Sequence, residues 1–438
     1  MQLAGKKVVV VGMAKSGTAA VKLLLAHGAT VRAVDEHPHP PVLGIAVEAQ
    51  VLESFGQPDL VVISPGVPAD LAVLQTMRER GVKVIGELEL AAPFLQGGNI
   101  GVTGTNGKTT TTALTGHILR ESGIPAQVGG NIGTPPAAMV ETSNPGEWNV
   151  LELSSFQLET IESFHAPIAA CLNVTQNHLD RHHTFENYAN AKARLFETQV
   201  GGDLAVLNAD DPVTVEFASR TVAKTVWFSS TRPVEGAWLE GSVIHLANVP
   251  LLDVRELRLR GRHNCENVMA AALIAERVGV GPSEIARAAV TFAPVEHRLE
   301  PVRELNGVAY FNDSKATSVD ATLKAIDAFA GGIWIILGGK DKDSDYTVLR
   351  EPLRAKARAA LLIGAAAPKI AAHLGNDAVP IFECGTLAAA VDQAYQSSRP
   401  GDTVLLAPAC ASFDQFESYE HRGRVFKELV RALDGGNS

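Results

Sequence analysis

The chain has 438 residues, of which 46% are hydrophobic and 20% charged, and its formal net charge is -10. This length exceeds what a single core supports, so the composition indicates a globular protein of two or three domains. The negative charge argues against non-specific nucleic-acid binding and against an anionic membrane as partner.

The four cysteines and the first residues bear on the compartment. Cys171, Cys265, Cys384 and Cys410 lack CxxC spacing, which favours a reducing environment without a zinc or disulfide framework. The valine run after Lys7 is too short for a signal-peptide core, and no apolar run of membrane-spanning length follows. We therefore expect a cytoplasmic protein.

A βαβ pattern opens the chain. Residues 7–12 predict a buried strand, the turn at 12–17 opens a helix, and residues 30–35 predict a second strand that ends in Asp35. This is the layout of a dinucleotide-binding turn, but Ala14 replaces its middle glycine and hinders close approach of a pyrophosphate. Three alternatives stay open: NAD, a nucleotide-sugar diphosphate whose base or sugar meets Asp35 or Glu36, and a plain turn with an exposed Asp35.

Two more strands, at 59–64 and 82–85, and a helix at 87–95 complete the first predicted domain. Gln96-Gly-Gly98 is typical of a linker, so we place the first boundary near residue 95.

A phosphate loop is predicted next. A strand at 100–102 leads through a glycine-rich turn into a helix at 110–120, so backbone N–H groups and a helix N-terminus surround one point. Lys108 adds a charge for outer phosphates, and Thr109 adds a hydroxyl that can bind Mg²⁺. Val102 stands where the G-x-x-x-x-G-K-[ST] pattern needs glycine, but the strand-turn-helix context favours a nucleotide triphosphate loop over an ordinary turn.

Two later strands carry candidate ligands at their carboxyl ends, where parallel sheets bind ligands. The strand at 148–152 ends in Glu152, a candidate acid for Mg²⁺. The strand at 168–174 delivers polar side chains: Asn173, Thr175, Asn177, His178 and Asp180. His178 and His182 have a spacing found in zinc sites, but a magnesium-linked His178 with exposed His182 and His183 is favoured.

The rest of the middle region offers weaker signals. A helix at 188–196 carries Lys192, which local sequence alone predicts to be solvated. A strand at 203–208 precedes a helix start at Pro212, and residues 224–260 indicate small antiparallel hairpins. Asn264 and Asn267 share one face of the next helix, although Asn264 could equally cap it.

A third α/β unit begins near His297-Arg298, the second predicted boundary. Its strands are predicted at 308–312, 333–337, 360–363, 379–382 and 403–407. Polar clusters follow three of them: Asp313-Ser-Lys-Ala-Thr317, Gly338-Gly-Lys-Asp-Lys342 and Pro408-Ala-Cys-Ala-Ser412. Lys315, Lys340 and Lys342 together suggest an anion site on this rim.

Six motifs occur in a fixed order: Thr103-Gly-Thr-Asn-Gly-Lys-Thr109, Leu151-Glu-Leu-Ser-Ser-Phe-Gln-Leu158, Asn173-Val-Thr-Gln-Asn-His-Leu-Asp180, Glu296-His-Arg298, Asp313-Ser-Lys-Ala-Thr317 and Ser412-Phe-Asp-Gln-Phe416. Together they resemble the Mur ligases, ATP-dependent enzymes of peptidoglycan assembly, over essentially the whole chain. The first three motifs are shared with folylpolyglutamate synthases. The motifs at Asp313 and Ser412, with no Asp-Asn-Pro-Arg motif present, resemble the member that adds D-glutamate.

The resemblance implies an α/β protein of three domains: a Rossmann-like domain (1–95) for the UDP substrate, a phosphate-loop ATPase-like domain (96–297), and a Rossmann-like domain (298–438) for the amino acid. It implies a cytoplasmic, monomeric ligase that joins D-glutamate to UDP-N-acetylmuramoyl-L-alanine through an acyl phosphate, with ATP and two Mg²⁺ sites.

It also implies a role for each matching residue. Catalysis would involve Lys108, Glu152, His178, Lys192 and Lys315, with Thr109, Glu152, His178 and a carbamate on Lys192 as metal ligands. ATP would contact Gly104, Thr105, Asn106, Gly107, Lys108, Thr109, Thr110, Asn264, Asn267, Arg298 and Asp313. The UDP substrate would contact Ala14, Lys15, Ser16, Asp35, Glu36 and Asn131, and D-glutamate would contact Thr317, Lys342, Ser412 and Tyr419.

Two alternatives to the D-glutamate ligase remain. One is a folylpolyglutamate-synthase-like ligase, against which the Asp35-terminated nucleotide domain argues. The other is a nucleotide-binding module without catalysis, in which Glu152 and His178 would have no role.

Overall fold

The computed structural model describes residues 1–37, 40–293, 295–375 and 377–434, without the side chain of Asp180. The chain forms two compact units: Met1–Glu256 with Glu266–Thr291, and Leu257–Cys265 with Phe292–Ser438. The first unit contains two sheets and the second contains one. No described helix is both long and apolar enough to cross a membrane.

The N-terminal sheet has five parallel strands in the order β3-β2-β1-β4-β5. Its strands are β1 Lys7–Val11, β2 Thr30–Asp35, β3 Val47–Ala49, β4 Leu60–Ile63 and β5 Lys83–Gly86. Its helices are α1 Lys15–Ala26, α2 Leu52–Phe55, α3 Ala72–Glu79 and α4 Glu87–Ala91. Apolar residues cover both faces of β1, which explains its unbroken run of valines.

The middle sheet has nine strands in the order β14-β13-β12-β11-β10-β9-β6-β8-β7. Its strands are β6 Gly98–Thr103, β7 Ala126–Gly130, β8 Trp148–Glu152, β9 Ile168–Cys171, β10 Leu204–Asn208, β11 Lys224–Ser229, β12 Gly236–Glu240, β13 Val243–Leu246 and β14 Val249–Asp253. Its helices are α5 Lys108–Glu121, α6 Pro136–Met139, α7 Ser155–Leu158, α8 Leu179–His182, α9 Phe185–Glu197 and α10 Pro212–Phe217, followed in the chain by α11 Arg262–Val278 and α12 Pro282–Thr291. Only β12, β13 and β14 pair in antiparallel fashion, as predicted for residues 224–260, whereas β11 of that region pairs parallel with β10 and β12.

The C-terminal sheet has six strands in the order β15-β16-β20-β17-β18-β19. Its strands are β15 Glu300–Leu305, β16 Val308–Asn312, β17 Ile333–Gly338, β18 Ala357–Ile363, β19 Ile381–Gly385 and β20 Thr403–Leu406. Its helices are α13 Val319–Asp327, α14 Arg350–Lys356, α15 Ala367–Leu374, α16 Leu387–Ser397 and α17 Tyr419–Ala432. All pairs are parallel except β15 with β16.

Strand register in the middle sheet brings three carboxyl ends together. β6 lies between β8 and β9, with Val102 opposite Glu152 and Thr103 opposite Cys171. The turn after β6 is therefore flanked by Glu152 and by the polar segment that follows β9. The predicted α/β class is confirmed by these three parallel-rich sheets.

Candidate functional site

The turn between β6 and α5 has the backbone of a phosphate loop. Gly104 and Gly107 have φ values of 143° and 85°, which favour glycine, and a Cβ on Gly107 would lie 2.3 Å from Asn267 Oδ1. The Thr105 N–H donates to the Asn173 carbonyl (2.8 Å) and the Asn106 N–H to Asn173 Oδ1 (2.9 Å). The segment after β9 thus holds the loop in place.

Two lysine amines meet at the carbonyls of this loop. Lys108 Nζ donates to the carbonyls of Gly104 (3.0 Å) and Thr105 (2.8 Å), and Lys192 Nζ donates to Gly104 as well (2.8 Å). The local prediction of a solvated Lys192 is wrong: the residue is 1% exposed because α9 turns it inward. Burial, and then the nearby Lys108 charge, lower the pKa of Lys192 well below its usual value.

Buried oxygen atoms that could bind a metal ion lie beside the start of α5. The Thr109 hydroxyl donates to Glu152 Oε2 (2.6 Å), and Asn131 Nδ2 donates to Glu152 Oε1 (2.9 Å). Glu152 is buried at the end of β8, and Thr109 is buried in the first turn of α5. A carboxylate and a hydroxyl next to a phosphate loop are the hard oxygen ligands that Mg²⁺ takes, so these residues fit that ion.

The histidine segment after β9 is tied to the loop through aromatic side chains. His178 is exposed, has a φ of 53° and lies edge-on to Phe156 with ring centroids 4.9 Å apart. The Tyr188 hydroxyl lies 3.0 Å from Thr105 Oγ1, a link for which the sequence offers no signal beyond helical spacing. The side chain of Asp180 lies outside the described residues.

The expectation of an exposed His182 is wrong, whereas that of an exposed His183 is confirmed. His182 is 5% exposed, and its Nε2 lies 2.9 Å from Ser155 Oγ. Ser155 begins α7, where Ser154 and Gln157 form a capping box. His182 therefore joins α8 to this capped turn.

A cavity of about 840 Å³ opens at the carboxyl end of the N-terminal sheet. All six residues assigned to the UDP substrate line it: Ala14, Lys15, Ser16, Asp35, Glu36 and Asn131. Asp35 is half-buried and accepts hydrogen bonds from the N–H groups of Met13 (2.6 Å) and His37 (3.1 Å), so the alternative of an exposed Asp35 is wrong. Because Asn131 lines the cavity and also donates a hydrogen bond to Glu152, the cavity extends to the Glu152 carboxylate.

Asn264 and Asn267 both lie in α11, which begins at Arg262. The alternative that Asn264 caps this helix is therefore wrong, since Asn264 stands inside it and its Nδ2 donates to the Arg260 carbonyl (2.6 Å). Asn267 Oδ1 accepts a hydrogen bond from Thr111 Oγ1 (3.2 Å), close to the phosphate loop. Thr110 is buried in the same turn of α5.

In the second unit, Asp313 is buried directly after β16. Burial raises the pKa of Asp313 to about 7, against the opposing effect of Arg298 and of the Leu299 N–H. Lys315 Nζ lies 5.3 Å from the Tyr419 ring centroid. The structure thus brings Arg298, Asp313, Lys315 and Tyr419 to the carboxyl end of β16.

The residues expected to bind the amino-acid substrate follow neighbouring strands of the same sheet. Ser412 Oγ is buried and has no hydrogen-bond partner among the described residues, which suits a ligand oxygen. Lys340 and Lys342 are exposed after β17, and Thr317 is half-buried after β16.

Sequence reasoning missed Arg422, which is fully buried in α17. Its guanidinium donates to Ser314 Oγ (3.0 Å), to the Ser314 carbonyl (2.9 Å) and to the carbonyls of Cys410 and Ala411. It therefore joins the two loops that carry Lys315 and Ser412. The sequence does contain a signal for this burial. Arg422 lies on the same face of α17 as Phe426 and Val430, which are core residues.

Family models match three parts of the chain. Residues 6–86 match the "Mur ligase MurD-like, N-terminal domain", residues 102–275 the "Mur ligase middle domain", and residues 297–410 the "Mur ligase, glutamate ligase domain". Together they cover well over half of the sequence.

Relatives and solved structures agree with the models. The UDP-N-acetylmuramoylalanine–D-glutamate ligase of Solibacter usitatus is 61% identical over 440 residues, covering 99% of each chain. The enzyme of that name from Acidobacterium capsulatum is 50% identical, covering 99% of this chain and 98% of its own. The structure of UDP-N-acetylmuramate-alanine ligase from Thermotoga maritima matches the fold with a TM-score of 0.65 at 18% identity, covering 98% of this chain and 99% of that one. This chain belongs to the Mur ligase family.

Proposed function

We propose that this protein is an ATP-dependent ligase that adds D-glutamate to UDP-N-acetylmuramoyl-L-alanine. The observation that carries the proposal is the position of Asn131. Its side chain lines the 840 Å³ cavity and donates to Glu152, which in turn accepts from Thr109 at the phosphate loop. A nucleotide substrate in the cavity and a triphosphate on the loop would thus meet. The identity of the substrates is inferred from the names of the full-length relatives.

The reaction proceeds in two steps. The terminal carboxylate of UDP-N-acetylmuramoyl-L-alanine attacks the γ-phosphorus of ATP, which gives an acyl phosphate and ADP. The amine of D-glutamate then attacks the acyl carbon, and the tetrahedral intermediate loses phosphate and a proton to leave the amide. The protein contributes positioning and charge neutralisation, with Lys108 directed to the phosphates and Lys315 to a phosphoryl oxygen.

Magnesium would be held in two sites by Thr109, Glu152, His178 and a carbamate on Lys192. The ion, when bound, offsets the negative charge of the phosphates. Glu152 and Thr109 already lie within hydrogen-bond distance of each other at the loop, so little rearrangement is needed to present both oxygens.

The state of Lys192 supports the proposed carbamate. Burial favours the neutral amine, and the neutral amine is the form that attacks CO₂, forming a C–N bond with release of a proton. The product exchanges a buried cation for an anionic oxygen ligand near Lys108 and Glu152.

The remaining substrate contacts that we propose are those implied by the family resemblance. Around ATP we assign Gly104, Thr105, Asn106, Gly107, Thr110, Asn264, Asn267, Arg298 and Asp313. The cavity residues would hold the UDP moiety and sugar. Thr317, Lys342, Ser412 and Tyr419 would hold D-glutamate, because a cation and several hydroxyls suit two carboxylates.

The division into domains 1–95, 96–297 and 298–438 stays part of this proposal. It is supported by the separate sheets formed by β1–β5, β6–β14 and β15–β20 and by the three family matches. A monomeric state and a cytoplasmic location remain predictions.

Phosphate release from ATP tests the proposal. With purified protein and Mg²⁺, we expect release only when UDP-N-acetylmuramoyl-L-alanine and D-glutamate are both present. Release that is unchanged when either substrate is omitted would contradict the proposal. Turnover of L-glutamate with a folate acceptor would indicate the folylpolyglutamate-type alternative instead.

A further inference from the structure

Tyr346 is a fully buried tyrosine whose hydroxyl contacts two loops of the second unit. The hydroxyl donates to Asp341 Oδ1 (2.6 Å) and lies 3.0 Å from Cys410 Sγ. Asp341 belongs to the loop that follows β17, and Cys410 belongs to the loop that follows β20. Most buried hydroxyl groups in proteins are hydrogen-bonded, and here both partners of the Tyr346 hydroxyl come from the rim proposed to hold D-glutamate.

Backbone pairing shows that the same two loops are joined directly. The Lys340 N–H donates to the Ala411 carbonyl (2.9 Å), and the Ala411 N–H donates back to the Lys340 carbonyl (3.1 Å). Lys342 and Ser412, the proposed D-glutamate contacts, lie one residue beyond Asp341 and Ala411. A shift of either loop would therefore move one of these two groups relative to the other.

Asp341 is the centre of the side-chain contacts. It also accepts from Lys369 Nζ (2.7 Å) and from the Ser344 N–H (3.2 Å). Burial alone would raise the pKa of Asp341, but the hydrogen bonds from Lys369, Tyr346 and Ser344 lower it to about 2. The carboxylate is thus ionised at neutral pH, and its bond to Tyr346 is charge-assisted.

We infer that Tyr346 is a positioning residue for the amino-acid pocket, fixing Lys342 and Ser412 relative to each other through Asp341 and Cys410. This inference rests on the proposed function. Tyr346 acts through these neighbours and is not assigned a contact with the substrate. Nothing in the resemblance or in the motif at 412–416 draws attention to it.

Tyr346→Phe tests the inference, because it removes the hydroxyl and keeps the buried ring. We expect the KM for D-glutamate to rise roughly tenfold, as for loss of one hydrogen bond to a charged group. The KM for ATP and the kcat should stay within about twofold, because the lost interaction positions the substrate in the ground state and the transition state alike.

Tyr310→Phe is the matched control. Tyr310 is a second buried tyrosine of this unit, and it packs in a different hydrophobic cluster from the one that contains Tyr346 and Cys410. Both variants lose one buried hydroxyl, so an equal change in all constants would assign Tyr346 to stability alone and overturn the inference.

Lys369→Gln provides a second variant in case Tyr346→Phe does not fold. The Lys369 side chain is 32% exposed, and its amine contacts the Asp341 carboxylate. We expect a rise in the KM for D-glutamate of about threefold. An unchanged KM for D-glutamate in the folded variants overturns the inference, whereas wild-type protein without D-glutamate-dependent phosphate release overturns the proposed function itself.

Discussion

Lys192 lies inside the candidate ATP site, with its amine 2.8 Å from the Gly104 carbonyl and 4.5 Å from the centroid of the Tyr188 ring. A buried ammonium is costly, and burial together with the nearby Lys108 charge lowers the pKa of Lys192. Conversion to a carbamate would change this amine into a group whose charge a metal ion can balance.

Lys192→Ala should therefore lose roughly 100-fold or more in kcat, as when one charge-stabilising group is removed from a reacting centre. A short carboxylic acid added to the assay should restore part of the activity, because it can replace the carbamate oxygens. Lys108→Ala is the matched control, since a carboxylic acid cannot replace a cation. A folded Lys192→Ala protein that no short acid rescues contradicts the carbamate.

Lys108→Ala should reduce kcat/KM for ATP by roughly 10- to 150-fold, the effect of losing charge-assisted phosphate contacts of ~1.5–3 kcal/mol. Lys224, with a side chain 68% exposed in the same unit, is the control whose replacement by alanine should have no effect. Steady-state kinetics with varied ATP provide the measurement. Unchanged kinetics for Lys108→Ala would refute the phosphate-loop assignment.

Sequence patterns located the candidate site residues but not their environments. The strand-turn-helix pattern around Lys108 was sufficient to place that residue, because the loop is local in sequence. The burial of Lys192 and His182 depends on which face of α9 and α8 meets the loop and Ser155, which are distant in sequence. Spacing within one helix cannot show such contacts.

At the scale of elements, α5 is bounded by two glycines with left-handed backbone. Gly107 precedes it with φ 85°, and Gly123 follows it with φ 77°. An added Cβ would meet Asn267 Oδ1 at 2.3 Å in the first case and nothing within 4 Å in the second. Only the first position is crowded.

Gly123→Ala should lower stability by ~1–2 kcal/mol, the cost of a left-handed non-glycine residue, and Gly107→Ala should lower it further because its Cβ would also meet Asn267 Oδ1. Gly107→Ala alone should also lower ATP-dependent turnover, by roughly 100-fold, because it displaces the phosphate loop. Thermal melts and phosphate release measure the two effects. Equal losses of turnover in both variants would show that the loop geometry is not what matters.

Helix α4 carries two buried carboxyl groups with opposite behaviour. Burial raises the pKa of Glu87 to about 8, only partly opposed by the hydrogen bond from the Ala137 N–H. Burial also acts on Glu89, but the Ser163 hydroxyl and the N–H groups of Glu162, Ser163 and Phe164 outweigh it and lower its pKa. The first group is thus protonated at neutral pH and the second is ionised.

The sign of the pH effect follows from Glu87. Between its usual pKa of 4.5 and about 8, the native state binds more protons than the unfolded state, so stability falls as pH rises through this window. Glu87→Gln should leave stability nearly unchanged near pH 4.5 and raise it by on the order of 5 kcal/mol at pH 9. Urea unfolding at several pH values provides the measurement.

Glu89→Gln is the control with the opposite sign, because the native state favours the Glu89 carboxylate. It should destabilise the protein above the usual carboxyl pKa, and the loss should shrink as pH falls. If the free energy of unfolding of Glu87→Gln depends on pH as that of the wild type does, the assignment of Glu87 as a buried, protonated carboxyl group is wrong.

Most elements followed from hydrophobic periodicity, and the misses have structural causes. Strands β8 and β16 have the predicted bounds, because each is a mostly apolar run with a polar site residue at its end or directly after it, Glu152 and Asp313. Strand β15 was missed since it is an antiparallel edge strand, half-exposed and containing Pro301. The helix predicted at 87–95 ends at Ala91, where the chain turns toward Pro93.

At the scale of the whole molecule, the three parallel-rich sheets present polar residues at the carboxyl ends of their strands. In the first unit this places the cavity of the N-terminal sheet and the phosphate loop of the middle sheet on either side of Asn131. In the second unit it gathers Asp313, Lys315 and Ser412. We propose that these three rims together hold the three substrates of the ligase.

Acceptor choice tests the central claim most directly. Purified protein with ATP, Mg²⁺ and UDP-N-acetylmuramoyl-L-alanine would be supplied in turn with D-glutamate, L-glutamate, L-alanine or diaminopimelate, and the products analysed by mass. We predict ADP, phosphate and a product one glutamyl residue heavier with D-glutamate alone. Equal product from L-glutamate, product from diaminopimelate instead, or no product from D-glutamate would contradict the account.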